Sequence, residues 1–261
     1  LNFNSKKVQV DYQKVIDFII DSGKRLATRA GRIKDIGVTK SNLTEEDFVI
    51  ERGLKAIISE FGKDHVVFAE EENDVFEKSG NLWVIDPISG THRFIYDKPH
   101  YAIVLAHLKN HLPQFAVVYD PSVEELFTAF AGRGAFLNSK SIHVSRGISK
   151  VIVRQSLAWQ DPRLSDRVLE AVQNKQIDKN SHSMAVNYCA VASGRADGII
   201  AFTKDAFPEF AGSLIIKEAG GKFTNIEGSN NIAPTDRIFI GGNMESYKEL
   251  FGLVRGLAEY N

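Results

Sequence analysis

Two carboxylates, each directly after a short apolar run, are the side chains in this sequence best placed to hold a hard cation. Glu70 follows His65-Val66-Val67-Phe68-Ala69, and Asp86 follows Leu82-Trp83-Val84-Ile85. Such runs are expected to form buried strands, and acids at the ends of adjacent strands meet at one edge of a sheet. Mg2+ prefers oxygen ligands, keeps several waters and completes its shell with substrate phosphate oxygens. After Asp86 the chain breaks on Pro87 and continues Ile88-Ser89-Gly90-Thr91. The glycine lets the backbone come close to an anion, and a helix starting there would aim N–H groups at it. The chemistry these residues suit is that of phosphate.

Other acids fit the same site less directly. Asp47 falls within a helical stretch, and Asp205 and Glu209 flank Pro208 before another. A lone Asp or Glu is usually a surface group or a cap, so Glu71 and Glu72 are expected to be solvated. His92, His100, His107 and His111 lack zinc-site spacing and are expected at the surface or in hydrogen bonds. Cys189, on the inner face of a helix, is expected to be a small core residue. The basic segment from Lys34 to Lys40 suits a solvated loop lying over an anionic substrate.

The elements that would position these groups follow from periodicity. Residues 10–30 carry apolar residues at helical spacing, closed by Gly31. A second helix starts near Thr44, where Asp47 three residues on approximates a capping box. Strands are expected at 65–69, 82–85, 102–108, 114–119, 125–129 and 135–137, with close turns that imply an antiparallel sheet. The second half alternates strands (151–153, 198–202, 239–240) with helices (162–172, 183–193, 209–219, 244–259), a layered α/β pattern. Residues 1–145 form an N-terminal α+β half, residues 146–261 a C-terminal α/β half, and together they make one compact domain.

Composition narrows the class. The chain has 261 residues, 43% apolar and 25% charged, with a net charge of −1. That balance excludes a general nucleic-acid binder or a membrane-surface protein. One cysteine excludes an intrachain disulfide and fits a reducing, cytoplasmic compartment. No run approaches the ~20 apolar residues of a membrane span. Leu1 to Lys7 lack the apolar core of a signal peptide; the chain begins with Leu1 rather than Met, so this reading covers only the residues present.

With these residues in order, the chain resembles the inositol monophosphatase family of metal-dependent, lithium-sensitive phosphatases along nearly its whole length. Phe68-Ala69-Glu70-Glu71 resembles the family's Gly-Glu-Glu segment, and Trp83 to Thr91 resembles its W-x-I-D-P-I-D-G-T signature. Val117-Val118-Tyr119-Asp120-Pro121, Ala185-Val186-Asn187-Tyr188-Cys189 and Leu214 to Gly221 follow in the family's order. The resemblance implies an αβαβα layered sandwich and Mg2+-assisted phosphomonoester hydrolysis. It implies Glu70, Asp86 and the Ile88 carbonyl as first-metal ligands, and Asp47 with Thr91 as the groups that orient and deprotonate water. Phosphate would be held at Ile88, Ser89, Gly90 and Thr91, with Ser183 at the substrate wall. A homodimer is implied, and a protein partner is suggested by bacterial members linked to the transcription machinery.

Three positions depart from the pattern. Ser89 stands at the second Asp of the signature. Phe207-Pro208 stands at a Trp-Asp pair. Ala201 stands where members place a Glu on an inositol hydroxyl. Two of these leave the second metal only Asp86 of three carboxylates, although Arg93 or Lys204 could supply a fixed cation, or Glu209 could swing in. The expectation is one Mg2+ site with a doubtful second, weak or no activity on inositol 1-phosphate, and a small polyol or sugar phosphate as substrate. The alternatives are a non-inositol substrate such as a nucleotide or histidinol phosphate, and an inactive binding or regulatory module.

Overall fold

The computed structural model describes residues 10–38, 41–72, 80–156, 162–178 and 182–258. Helices α1 (Tyr12–Arg29) and α2 (Glu45–Ser59) come first. Strands β1 (His65–Ala69) and β2 (Asn81–Ser89) follow, then a five-residue helix α3 (Thr91–Ile95). A run of strands comes next: β3 (Ala102–Lys109), β4 (Leu112–Asp120), β5 (Glu125–Phe130), β6 (Gly134–Leu137), β7 (Lys140–Ile142) and β8 (Lys150–Gln155). Then come α4 (Pro162–Ala171), β9 (Gln176–Ile177), α5 (Met184–Ala192), β10 (Gly198–Phe202) and α6 (Phe207–Glu218). The chain closes with β11 (Lys222–Asn225), β12 (Ile238–Gly242) and α7 (Met244–Ala258).

These elements stack in five layers. Strands β1 to β7 form one sheet in sequence order, and a second has the order β11-β12-β10-β8-β9. Side chains alternate across the first sheet, as a pleated strand requires. Trp83, Ile85, Ile103, Leu105 and Val117 face α1 and α2, whereas Leu82, Val84, Val104, Ala106 and Val118 face α5 and α6. Helix α5 is buried on all sides from Ala185 to Ala192 because both sheets cover the middle layer. Gly212 permits its close packing on α6, since a Cβ there would lie 2.5 Å from the Tyr188 ring. Helices α4 and α7 cover the outer face of the second sheet. No helix among the described residues is long and apolar enough to cross a membrane.

The structure departs from the sequence reading in a few places. The first sheet is mixed, because β1 pairs with β2 in parallel while β2 to β7 are antiparallel. β2 does not break at Asp86-Pro87; it continues to Ser89 across a register shift, a bulge that accommodates the proline's missing donor. α6 starts at Phe207, two residues early, with Pro208 in the first turn, where a missing N–H costs nothing. α3, β7, β9 and β11 were not expected; each is too short to display a period. Thr39 and Lys40 of the basic loop, the N-terminal residues 1–9 and Glu259 lie outside the described residues.

Trp83 anchors the layer beneath β1 and β2. It is fully buried, stacks on His107 at 4.2 Å and on Phe61 at 5.7 Å, and donates its indole N–H to His65 Nδ1 at 2.8 Å. Burial holds His107 down at about 4, so a neutral ring meets the indole, and its Nδ1 lies 2.8 Å from the Tyr12 hydroxyl. Trp83→Ala is expected to cost about 3–5 kcal/mol in urea unfolding; a loss under about 1 kcal/mol would contradict this role.

Candidate active site

The parallel pairing of β1 and β2 brings the first two carboxylates together. Ala69 is the register partner of Ile85, so Glu70, the residue after β1, comes beside Asp86 within β2, and the Glu70 N–H donates to Ile85 O at 3.2 Å. Both residues open onto a cavity of about 570 Å3, which Ile88, Ser89, Gly90 and Thr91 also line. Asp86 and Ser89 are each 4% exposed.

The turn after β2 is built for close approach. Gly90 has φ +85°, and a Cβ there would sit 2.7 Å from Ser183 Cβ. The Thr91 hydroxyl donates to Ile88 O at 2.8 Å. Ser183 caps α5, accepting from the Val186 N–H at 3.3 Å, and its own N–H donates to His100 O at 2.9 Å. Ser183 and Met184 both line the cavity; Ala201 is fully buried in β10 and is not among the lining residues.

The far wall comes from the segment between β10 and α6. Lys204 Nζ lies 3.5 Å from Glu70 Oε1 and 3.5 Å from Asp205 Oδ2, so an ammonium stands between two carboxylates. Pro208 is buried on this wall. Glu209 is completely buried and accepts a hydrogen bond from the Tyr188 hydroxyl at 2.6 Å, while its Oε2 has no hydrogen-bond partner. Burial pushes its carboxyl well above the ordinary range, so Glu209 is held as a neutral acid.

Asp47 sits behind the lining. It is fully buried at the start of α2, and its Oδ2 accepts from both the Thr44 N–H at 2.8 Å and the Thr44 hydroxyl at 2.6 Å. Its Oδ1 has no hydrogen-bond partner. Burial, with smaller pushes from Glu71 and Glu70, raises its pKa to about 8. Neither hydrogen bond joins Asp47 to Thr91, whose hydroxyl is turned to Ile88.

Ser41 and Asn42, which end the basic loop, line the cavity mouth. Asp35 folds that loop by accepting the N–H groups of Gly37, Asn42 and Leu43, which hold its carboxyl below the usual range. Arg154 and His182 also line the cavity. Neither carries a local sequence signal, since Arg154 reaches the cavity through the pairing of β8 with β10 and His182 through the segment before α5.

Residues 7–258 match the sequence profile of the inositol monophosphatase family. The chain belongs to that family. It is 31% identical over 229 residues to a protein named Nus factor SuhB from Haemophilus influenzae, covering 84% of this chain and 85% of that one. It is 31% identical over 222 residues to the fructose-1,6-bisphosphatase/inositol-1-monophosphatase of Thermotoga maritima, with 84% and 85% covered. Among solved structures, a Thermotoga maritima IMPase superposes with a TM-score of 0.82 at 28% identity, covering 95% of this chain and 98% of that chain. Family membership accounts for the layered sandwich and for the order of the motifs along the chain.

Asp47 gives the stability a pH dependence of definite sign. The unfolded carboxyl ionises near 3.8, whereas the folded one stays protonated up to about 8. Its contribution is therefore full below about 3.8, declines as pH rises and is gone above about 8. Asp47→Asn is expected to flatten this decline, so the variant gains on the native chain between pH 5 and 9 in urea midpoints. Parallel pH profiles for the two proteins would contradict it.

Proposed function

We propose that this chain is a phosphomonoesterase for a small phosphorylated polyol or sugar, working with one Mg2+ and with Lys204 in the place of a second cation. The observation that carries the reading is the Lys204 ammonium, 3.5 Å from Glu70 at the edge of a cavity that also holds Asp86 and the Gly90 turn. Glu70, Asp86 and the Ile88 carbonyl are hard oxygen donors, and with waters they fit one Mg2+. Among the described residues no three His, Cys, Asp or Glu side chains converge closely enough to hold an ion by themselves. Ser89 and Pro208, where the family pattern has carboxylates, leave the second position to the lysine.

Each residue then has a task. Glu70, Asp86 and the Ile88 carbonyl would hold the ion, which when bound supplies Lewis acidity and a more acidic water. Gly90, at φ +85°, lets the turn pass against Ser183, where a Cβ would clash, and so brings its backbone to the phosphate. Thr91 orients the attacking water, and Asp47 takes its proton in the ionised form, so the rate is expected to rise as pH approaches about 8. Lys204 offsets charge developing on the leaving oxygen, as a fixed cation can. Glu70 and Asp86 come from the first half and Lys204 and Asp205 from the second, which supports reading residues 1–145 and 146–261 as halves of one catalytic unit. The family resemblance supports a homodimer, and the single buried Cys189 is consistent with a reducing compartment.

A second reading is a regulatory module that binds a protein partner. The relatives named Nus factor SuhB favour it, as does the loss of two acidic ligands. Phosphate release from a panel of sugar, polyol and nucleotide monophosphates separates the two. The native chain is expected to release phosphate slowly with Mg2+ or Mn2+, and Asp86→Asn to abolish release. Ser89→Asp with Pro208→Asp is expected to raise the rate about tenfold or more by rebuilding the second ion site. No release from any ester by either protein would favour the regulatory module.

A further inference from the structure

Helix α2 meets the strand-end carboxylates at two points. It supplies the buried Asp47, and one turn later on the same face it supplies Glu51. Glu51 is completely buried, and no step of the proposed hydrolysis uses it. Its carboxylate reaches the segment that follows β1. Oε2 accepts the Glu71 N–H at 3.1 Å, and Oε1 accepts the Glu72 N–H at 3.2 Å. Lys55, a further turn along α2, sets its ammonium 2.9 Å from Glu51 Oε1. One buried carboxylate thus joins two consecutive backbone donors and a cation.

The segment it holds begins with Glu70. The Glu70 N–H donates to Ile85 O on β2, so three successive N–H groups are fixed, one to the neighbouring strand and two to the helix. The side chains then diverge. Glu70 lines the cavity, whereas Glu72 turns to Arg52 at 2.9 Å and to Lys55 at 3.0 Å. Burying a carboxylate is costly and persists where donors compensate. An apolar residue at position 51 could pack between α2 and the sheet, but it would leave both N–H groups without this acceptor. Such a device suits a site where the placement of Glu70 matters. A divalent ion holds its oxygen ligands to within about 0.2 Å. A glutamate just past the end of a strand has freedom in its backbone as well as in its side chain. Glu51 removes the first of these.

We propose that Glu51 is a positioning residue: by clamping the Glu71 and Glu72 N–H groups it holds the Glu70 carboxylate where it can ligate a divalent cation. This inference rests on the phosphatase reading, which makes Glu70 a ligand of Mg2+. Because Asp47 and Glu51 are one turn apart on a single helix, α2 also fixes the proton acceptor and the metal ligand relative to each other.

Mn2+ titration of the full chain, with free ion followed by electron paramagnetic resonance, tests the clamp with two variants. Glu51→Gln keeps the shape of the side chain, but its amide turns a donor towards one of the two N–H groups. Glu51→Asp keeps the charge but is one carbon too short to meet both. Each is expected to weaken Mn2+ binding about tenfold or more, the usual effect of removing an outer-shell partner, in samples whose near-ultraviolet circular dichroism shows a native core. Native affinity in either variant would overturn the clamp; in Glu51→Asp it would leave only the charge of Glu51 in play. Hydrogen exchange in the native chain decides the matter should neither variant fold. An opening that frees the Glu71 and Glu72 amides would also release the ion, so saturating Mg2+ is expected to slow their exchange about tenfold or more. Unchanged exchange at both amides would overturn the clamp. If the native chain binds no Mn2+, the phosphatase reading falls as well; if it binds Mn2+ and the variants bind as tightly, only the clamp does.

Discussion

The site is governed by the crowding of carboxyl groups at one end of two parallel strands. The register that sets Ala69 beside Ile85 also sets Glu70 beside Asp86, and the segment before α6 adds Asp205 and Glu209 to the same cavity. Like charges so placed must be neutralised or the cavity would not be stable. The chain does this in two ways. Asp47 and Glu209 keep their protons because burial penalises the charged form, and Glu209 is also tied to Tyr188. Glu70 and Asp205 share the Lys204 ammonium. A site that also carried acids at positions 89 and 208 would need a further cation to balance them; with Ser89 and Pro208 the lysine suffices.

The same arrangement ties the site to the core. Glu209 lies in the first turn of α6, whose Gly212 packs on the Tyr188 ring of α5, and Tyr188 returns the contact by donating its hydroxyl to Glu209. Those two helices are the middle layer between the sheets. The cavity wall is therefore continuous with the buried middle layer. Its mouth, at Ser41 and Asn42, belongs to a loop held by the Asp35 carboxylate and its backbone donors.

Much of this was legible in the residues. Glu70 and Asp86 stand out because each follows an apolar run, and the close turns between short strands make an antiparallel sheet predictable. Ser89 and Pro208 were visible as departures only against the family pattern. What escaped did so for physical reasons. The Asp86-Pro87 pair reads as a break, yet a bulge lets β2 continue, because tertiary pairing overrides the local preference. α3 is five residues long and shows no period. Lys204 is visible in the sequence as a possible fixed cation, but its place beside Glu70 depends on how the β10–α6 turn meets β1. Arg154 reaches the cavity only because β8 pairs with β10 in a register that no local pattern encodes.

The central claim is that one divalent ion and one lysine do the work of two ions. Titration of the native chain with Mn2+ in the presence of orthophosphate, followed by electron paramagnetic resonance at neutral pH, tests it most directly. One Mn2+ per chain, with the spectrum of an isolated ion, is the predicted result. Two Mn2+ per chain with the spin coupling of a close pair would contradict it.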